Sequence, residues 1–249
     1  MVSLRPKNKT LKKKKPLCSV IITASFIKSH PSIEFIKCTL ESLKYAHLPL
    51  GTPIILAHDY SDDEKYKEYL RNLEDYIVDK PSIKIVVRDS FGALVGNIRN
   101  AFKYVTTDYV LVIQHDLPFV RSFNLEKVIQ DMKHNPELKH VRFNKRTTTK
   151  TASNSVNDLF GKEVKSVNYT YTRTPSWSDN NHLCLSKYYR TIILKESPDG
   201  TAMETVEMGK SVDEETHKKY GTYIFGNVNE KAYIRHTDGR NRIRASACV

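Results

Sequence analysis

The patterning of this chain predicts an α/β fold, with a mostly parallel central sheet and helices on both faces. Three observations carry that prediction. Short apolar runs rich in Val and Ile alternate with segments whose apolar residues recur at helical spacing, which is the signature of parallel strands joined by right-handed crossovers. Each run is continuous rather than alternating, as a strand covered on both faces requires. Each run is followed by a polar cluster, so polar groups collect along one sheet edge, where open α/β sheets bind ligands.

The first apolar run, 17–24, is β-branched around Val20-Ile21-Ile22 and reads as a buried strand. Residues 25–31 form its polar turn, and 32–45 place Ile33, Ile36, Leu40 and Leu43 on one helical face, with Ser32 as N-cap. A second strand, 52–57, ends in His58-Asp59-Tyr60-Ser61-Asp62-Asp63, and a helix over 64–76 follows with Tyr66, Tyr69, Leu70 and Leu73 on one side. A third strand, 83–87, leads through 88–96 to a helix over 97–105. That helix delivers the longest apolar run, Tyr109-Val110-Leu111-Val112-Ile113, which passes directly into Gln114-His115-Asp116. Pro118 then stops the strand, because it cannot donate to the ladder.

The second half predicts a helix over 125–134 and a strand over 139–143. From 144 to 180 the chain turns rich in Thr, Ser, Asn and Lys without periodicity, which predicts a long lid or binding loop with Trp177, the sole tryptophan, near its end. A short buried strand over 182–185, a helix over 186–194, a helical turn over 203–208 and short strands within 220–236 complete the elements. There is no internal repeat.

At 249 residues the chain is long enough to bury a large core in one domain, expected over 16–245 behind a basic tail, 1–15. No apolar stretch approaches the length of a membrane span or a signal peptide, and the four cysteines are scattered, so a cytoplasmic protein with free thiols is expected. The net charge of +12 points to anionic partners, and part of it lies in Arg5, Lys7, Lys9 and Lys12 to Lys15 of the tail. That tail is either a solubilising leader or a weak contact for an anionic surface. No nucleic-acid motif accompanies the charge, so no specific nucleic acid is expected, and a basic RNA- or glycan-binding module remains the non-enzymatic alternative.

The order and spacing of four elements resemble the family-2-like glycosyltransferases of the GT-A fold, the Rossmann-like fold of nucleotide-diphospho-sugar transferases. Ser19-Val20-Ile21-Ile22 matches the family's first strand, His58 to Asp63 its acidic second motif, Ile98-Arg99-Asn100 its Ala-Arg-Asn helix, and Gln114-His115-Asp116 its Asp-x-Asp. The likeness covers 17–119 closely and the remainder loosely. It implies a nucleotide-sugar-binding half, 16–120, an acceptor-binding half, 121–245, a nucleotide-diphosphate sugar as donor, a glycan or other hydroxyl as acceptor, and inversion at the anomeric carbon. A sugar nucleotidyltransferase is the enzymatic alternative, although the turn after the first strand, Thr23 to Lys28, lacks the glycines those enzymes use to cradle phosphates.

The same likeness assigns Asp59 to the nucleotide base, with Thr23, Ala24 and Ser25 lining that pocket and Arg99 holding the donor phosphates. Asp59, Asp62 and Asp63 are equally suited to cap the following helix. Leaving-group chemistry builds negative charge on the diphosphate, and a hard cation such as Mn²⁺ or Mg²⁺ prefers oxygen ligands. Asp116 supplies one at the strand end. Gln114 stands where the family has its first Asp and offers a neutral amide to the donor ribose or a metal-bound water. His115 is either a metal or diphosphate ligand or a structural hydrogen-bonder, and His236 is a late histidine of the kind that returns to the metal in some GT-A enzymes. The general base falls to Glu204 by position, then to Asp179, then to Glu207. Trp177 offers a flat face to an acceptor sugar.

Overall fold

The computed structural model describes residues 16–148, 161–175, 177–204 and 213–237. Nine strands form one sheet in the order β3-β2-β1-β4-β8-β5-β9-β7-β6. β1 (Cys18–Ala24), β2 (Ile54–His58), β3 (Ile83–Val87) and β4 (Tyr109–Gln114) are mutually parallel, with Ile21 opposite Ile55 and Val112. Beyond β4 the sheet becomes mixed: β8 (His182–Leu185) runs antiparallel between β4 and β5 (His140–Arg142), and β9 (Thr222–Phe225) runs parallel to β5.

Both faces are covered, as the continuous apolar runs require. Side chains alternate across a strand, so Val20 and Ile22 of β1 point one way and Ile21 the other. The first set packs with Leu56, Leu111 and Ile113 beneath α1 (Glu34–Ser42), α2 (Glu64–Ile77) and α4 (Leu125–His134). The second packs with Ile55, Val110 and Val112 beneath α3 (Ala93–Ala101) and a composite helix of α5 (Ser186–Tyr188), a π turn (Tyr189–Ile193) and α6 (Leu194–Glu196). The helices begin where a side chain can accept the first free amides. Asp63 accepts from Lys65 N at the head of α2, and Asn124 from Lys127 N at the head of α4.

Several boundaries depart from the sequence expectations. α3 starts at Ala93, four residues earlier than expected, because Gly92 is anchored through its amide to Asp59 Oδ1 at 2.9 Å and the chain turns sharply into the helix. The expected long loop over 144–180 contains a hairpin, β6 (Glu163–Lys165) and β7 (Thr170–Arg173), and β7 pairs with β9 to extend the sheet. Its turn is pinned by the buried carboxylate of Asp131, which accepts from Asn168 N at 2.8 Å, Tyr169 N at 2.9 Å and the Tyr171 hydroxyl at 2.8 Å. α7 (Glu214–Tyr220) was not anticipated, though its signals are local: an Asp213–Thr216 capping box and Gly221 in the left-handed conformation after the last turn. No helix among the described residues is long and apolar enough to cross a membrane.

Asp131→Ala leaves four donors, the Asn168 backbone and side-chain amides, Tyr169 N and the Tyr171 hydroxyl, without their shared acceptor, and it is expected to cost about 3 kcal/mol, or roughly 5–10 °C in a thermal melt. Burial holds His30 at about 3 and His58 and His182 at about 4, below the usual 6.5. The unfolded chain binds protons below about pH 6.5 that the folded chain refuses, so stability falls as pH drops from there towards about 4. Each histidine contributes up to about 1.4 kcal/mol per pH unit in that window, and melts taken across it should show the decline.

Candidate functional site

The parallel register brings four polar strand ends side by side. Thr23 lies opposite Gln114, and Ala24 opposite His58, so Ser25, Asp59 and Asp116 emerge along one edge. Thr23 is buried, with its hydroxyl donating to Ile113 O at 3.3 Å. Ala24 contributes its carbonyl, which accepts from Asp59 N at 3.1 Å and from the Asn97 amide at 3.1 Å. Ser25 alone of the three is exposed. Asn97 also donates to Ala57 O at 2.8 Å, so one side chain on α3 ties the ends of β1 and β2 together.

Asp59 is 3% exposed, and Oδ1 accepts from Tyr60 N and Gly92 N, both at 2.9 Å. The helix cap belongs to Asp63. Arg88, which sequence reasoning missed, approaches Asp59 at 3.8 Å and Asp199 at 3.4 Å, and donates to Gly96 O at 2.7 Å. A Cβ at Gly92 would collide with its guanidinium, and one at Gly96 would come within 2.9 Å of Cζ. The two glycines four residues apart, just after a strand ending in Arg88, are the signal that could have found it.

Arg99 corrects an expectation. Its guanidinium donates to Asp199 at 2.7 Å and to the carbonyls of Leu194 at 2.8 Å and Ser197 at 2.7 Å, so it braces the end of the composite helix rather than facing the strand ends. Those carbonyls belong to a helix C-terminus, where a cation is favoured.

At the end of β4 the Gln114 backbone amide donates to Asn181 Oδ1 at 3.1 Å and its side-chain amide to Asp179 O at 3.2 Å. His115 is buried beneath the edge, its Nδ1 3.2 Å from Thr23 O and its own carbonyl accepting from Thr39 at 2.7 Å. Asp116 meets the far end of the chain: Thr237 N donates to its carbonyl at 3.0 Å, and His236 Nε2 lies 3.2 Å from Oδ2. That separation is an ordinary ion-pair contact, and of the two groups only the Asp116 carboxylate is the oxygen ligand that a hard divalent cation prefers. No cluster of three or more His, Cys, Asp or Glu able to hold a metal occurs among the described residues. Most ligand positions around a cation there would fall to other oxygens.

Next to Asp179, the Ser178 hydroxyl donates to Glu204 Oε1 at 2.8 Å. Glu204 and Asp179, far apart in sequence, therefore flank the same short segment. Arg142, on β5, is lowered by burial to about 10 while the Glu204 carboxylate opposes that shift. Trp177 does not present a face to solvent. It is 1% exposed and packs against the rings of His140 at 5.0 Å and His182 at 5.5 Å, with an edge set by the strands beneath it. The expectation that it stacks on an acceptor gives way to a core role, because β5 and β8 bring the buried rings of His140 and His182 against it, which the sequence alone could not place there. Glu207 and the tail over 1–15 lie outside the described residues.

A model of glycosyl transferase family 2 matches residues 21–189. Among solved structures, S. aureus TarS 1–349 in complex with UDP-GlcNAc is 17% identical, with a TM-score of 0.51 over 92% of this chain and 60% of that one. The longer S. aureus TarS is 15% identical at a TM-score of 0.51, covering 88% of this chain and 36% of that one. A Bacillus anthracis protein assigned as a glucose-1-phosphate thymidylyltransferase is 12% identical at a TM-score of 0.50, covering 93% of this chain and 98% of that one. At such identities the likeness is one of fold, and this chain spans less than two thirds of either TarS chain. No curated protein matches it in sequence.

The buried setting of Trp177 is directly measurable. Trp177→Ala is expected to cost about 3–5 kcal/mol in urea unfolding, as core aromatic deletions do. Unchanged stability in that variant would restore a solvent-facing role.

Proposed function

This chain belongs to glycosyl transferase family 2, and from that premise we propose that it moves a sugar from a nucleotide-diphosphate donor to a hydroxyl of a glycan or other acceptor, inverting the anomeric centre. The single observation that carries the proposal is the pairing of Asp116 with His236 at 3.2 Å on the end of β4. It puts a carboxylate and an imidazole together at the sheet edge where ligands bind in such folds. The described residues form one sheet, and we take 16–245 as one transferase domain, with 16–120 as the donor half.

In this mechanism Asp59, held by Gly92 N and neighboured by Arg88, receives the base, and the exposed Ser25 borders it. Asp116 and His236 would hold Mn²⁺ or Mg²⁺, which when bound would supply positive charge to the leaving diphosphate. Gln114 turns its amide towards Asp179 O, fixing the acceptor-side segment against the donor side. Glu204 is the general base. It sits beside Ser178 and Arg142, and it takes the proton of the acceptor hydroxyl as that oxygen attacks the anomeric carbon. Fixed placement of both reactants then lowers the barrier by removing motional freedom before the step.

TarS 1–349 has been solved with UDP-GlcNAc, which makes UDP-sugars the first donors to assay. With a donor in hand, Asp116→Ala and Glu204→Gln are each expected to lower turnover by about a thousandfold or more while thermal melts stay near wild type. EDTA should abolish turnover and Mn²⁺ restore it. Retained turnover in Asp116→Ala, or no transfer from any UDP- or GDP-sugar with any divalent metal, would sink the proposal. Pyrophosphate release from a nucleoside triphosphate would favour a nucleotidyltransferase instead.

A further inference from the structure

On the acceptor side stands a cation that the described part of the fold does not partner. Arg142 ends β5 opposite His182, which is itself opposite Val112 of β4. It therefore lies two strand spacings, about 10 Å, from β4 on the edge that carries Gln114. Arg142 is half-buried, and no described residue gives its guanidinium a hydrogen bond or an ion pair. Arg88, Arg99, Arg121 and Arg173, by contrast, all donate to carbonyls or carboxylates. A guanidinium withdrawn from water without such partners is costly, so its place on the ligand edge points to a partner from outside the chain.

The surroundings select what that partner carries. Arg142 and His140 share one face of β5. Burial keeps His182 at about 4 and His140 well below its usual 6.5, so both rings are neutral near pH 7 and neither competes for an anion. The charge of Glu204 reaches Arg142, yet the two form no ion pair among the described residues, and Glu204 Oε1 accepts from the Ser178 hydroxyl at 2.8 Å. Carboxylate and guanidinium thus address one region with opposite charges. The first suits a hydroxyl that gives up its proton, and the second suits an oxyanion beside it. An anionic molecule approaching Glu204 without a cation at that point would be repelled.

Resting on the transferase reading above, we propose that Arg142 binds a phosphate or carboxylate carried by the acceptor next to the hydroxyl that Glu204 deprotonates. The acceptors are then anionic glycans rather than neutral ones. A guanidinium fork meets either oxyanion with two parallel hydrogen bonds. The donor diphosphate belongs instead beside Asp116, at the end of β4 and two strands away.

Calorimetric titration of the full chain with glucose 6-phosphate, glucuronate and glucose tests this without turnover. Wild type should bind at least one of the anionic sugars about tenfold or more tighter than glucose, and the tighter of the two identifies the oxyanion. Arg142→Met should erase the preference and Arg142→Lys should keep part of it. The melting temperature of Arg142→Met should stay level or rise, since the cation it removes has no partner among the described residues. The inference is overturned by a wild type without preference for the anionic sugars, or by a preference that survives in Arg142→Met. A fall in melting temperature of about 5 °C or more would also overturn it, by making Arg142 a structural brace. Titration with UDP and Mn²⁺ separates the two readings. Loss of UDP binding in Arg142→Met would assign the cation to the donor and overturn the inference, whereas a wild type that binds glucose 6-phosphate but not UDP would sink the transferase reading and leave Arg142 as an anion site.

Discussion

Everything in this structure hangs on the burial of β4 between β1, which runs parallel to it, and β8, which runs against it. Tyr109 to Ile113 are all buried, and their alternate side chains anchor both cores at once. A strand so enclosed has no freedom to slide, because a one-residue slip would turn every apolar side chain to the wrong face. The polar residues that follow it are therefore fixed in place by the packing of the strand before them. Gln114, His115 and Asp116 inherit their positions from Val110, Leu111 and Val112.

The second constraint is a backbone ribbon that closes the far end of the chain onto the same point. Val120 N donates to Tyr233 O at 2.9 Å, Arg235 N to Pro118 O at 3.1 Å, and Thr237 N to Asp116 O at 3.0 Å, around the bridge between Phe119 and Ile234. Aromatic packing of Tyr233 against Phe225 at 4.8 Å holds the ribbon down. These main-chain bonds, and no feature of His236 itself, bring an imidazole to Asp116.

A third layer couples the two halves of the edge through charge. Asp59, Arg88, Asp199 and Arg99 form a chain of opposite charges running from the end of β2 to the loop after the composite helix. Asp59 and Arg88 at one end are shielded from solvent, where such contacts are screened less than at an open surface, whereas Asp199 and the Arg99 guanidinium are exposed. The same loop leads into Met203, which is buried, and then Glu204. Glu204 is thus tied to Asp59 at the end of β2 through contacts between side chains far apart in the sequence.

Local sequence determined the strands and most of the helices, because continuous Val- and Ile-rich runs and helical spacing of Ile36, Tyr66, Tyr69 and Leu73 encode burial in the residues themselves. It also determined that the polar ends of β1, β2 and β4 share an edge, since parallel strands can do nothing else. What it could not carry were contacts between distant segments. The hairpin β6–β7 forms because Asp131, on a helix thirty-odd residues earlier, accepts its turn amides. Trp177 is a core residue because β5 and β8 happen to lie beneath it, and Arg99 braces a helix end because that end arrives beside α3. Periodicity reports what a segment must bury, whereas the partner that buries it is chosen only when loops close and the remote chain comes back.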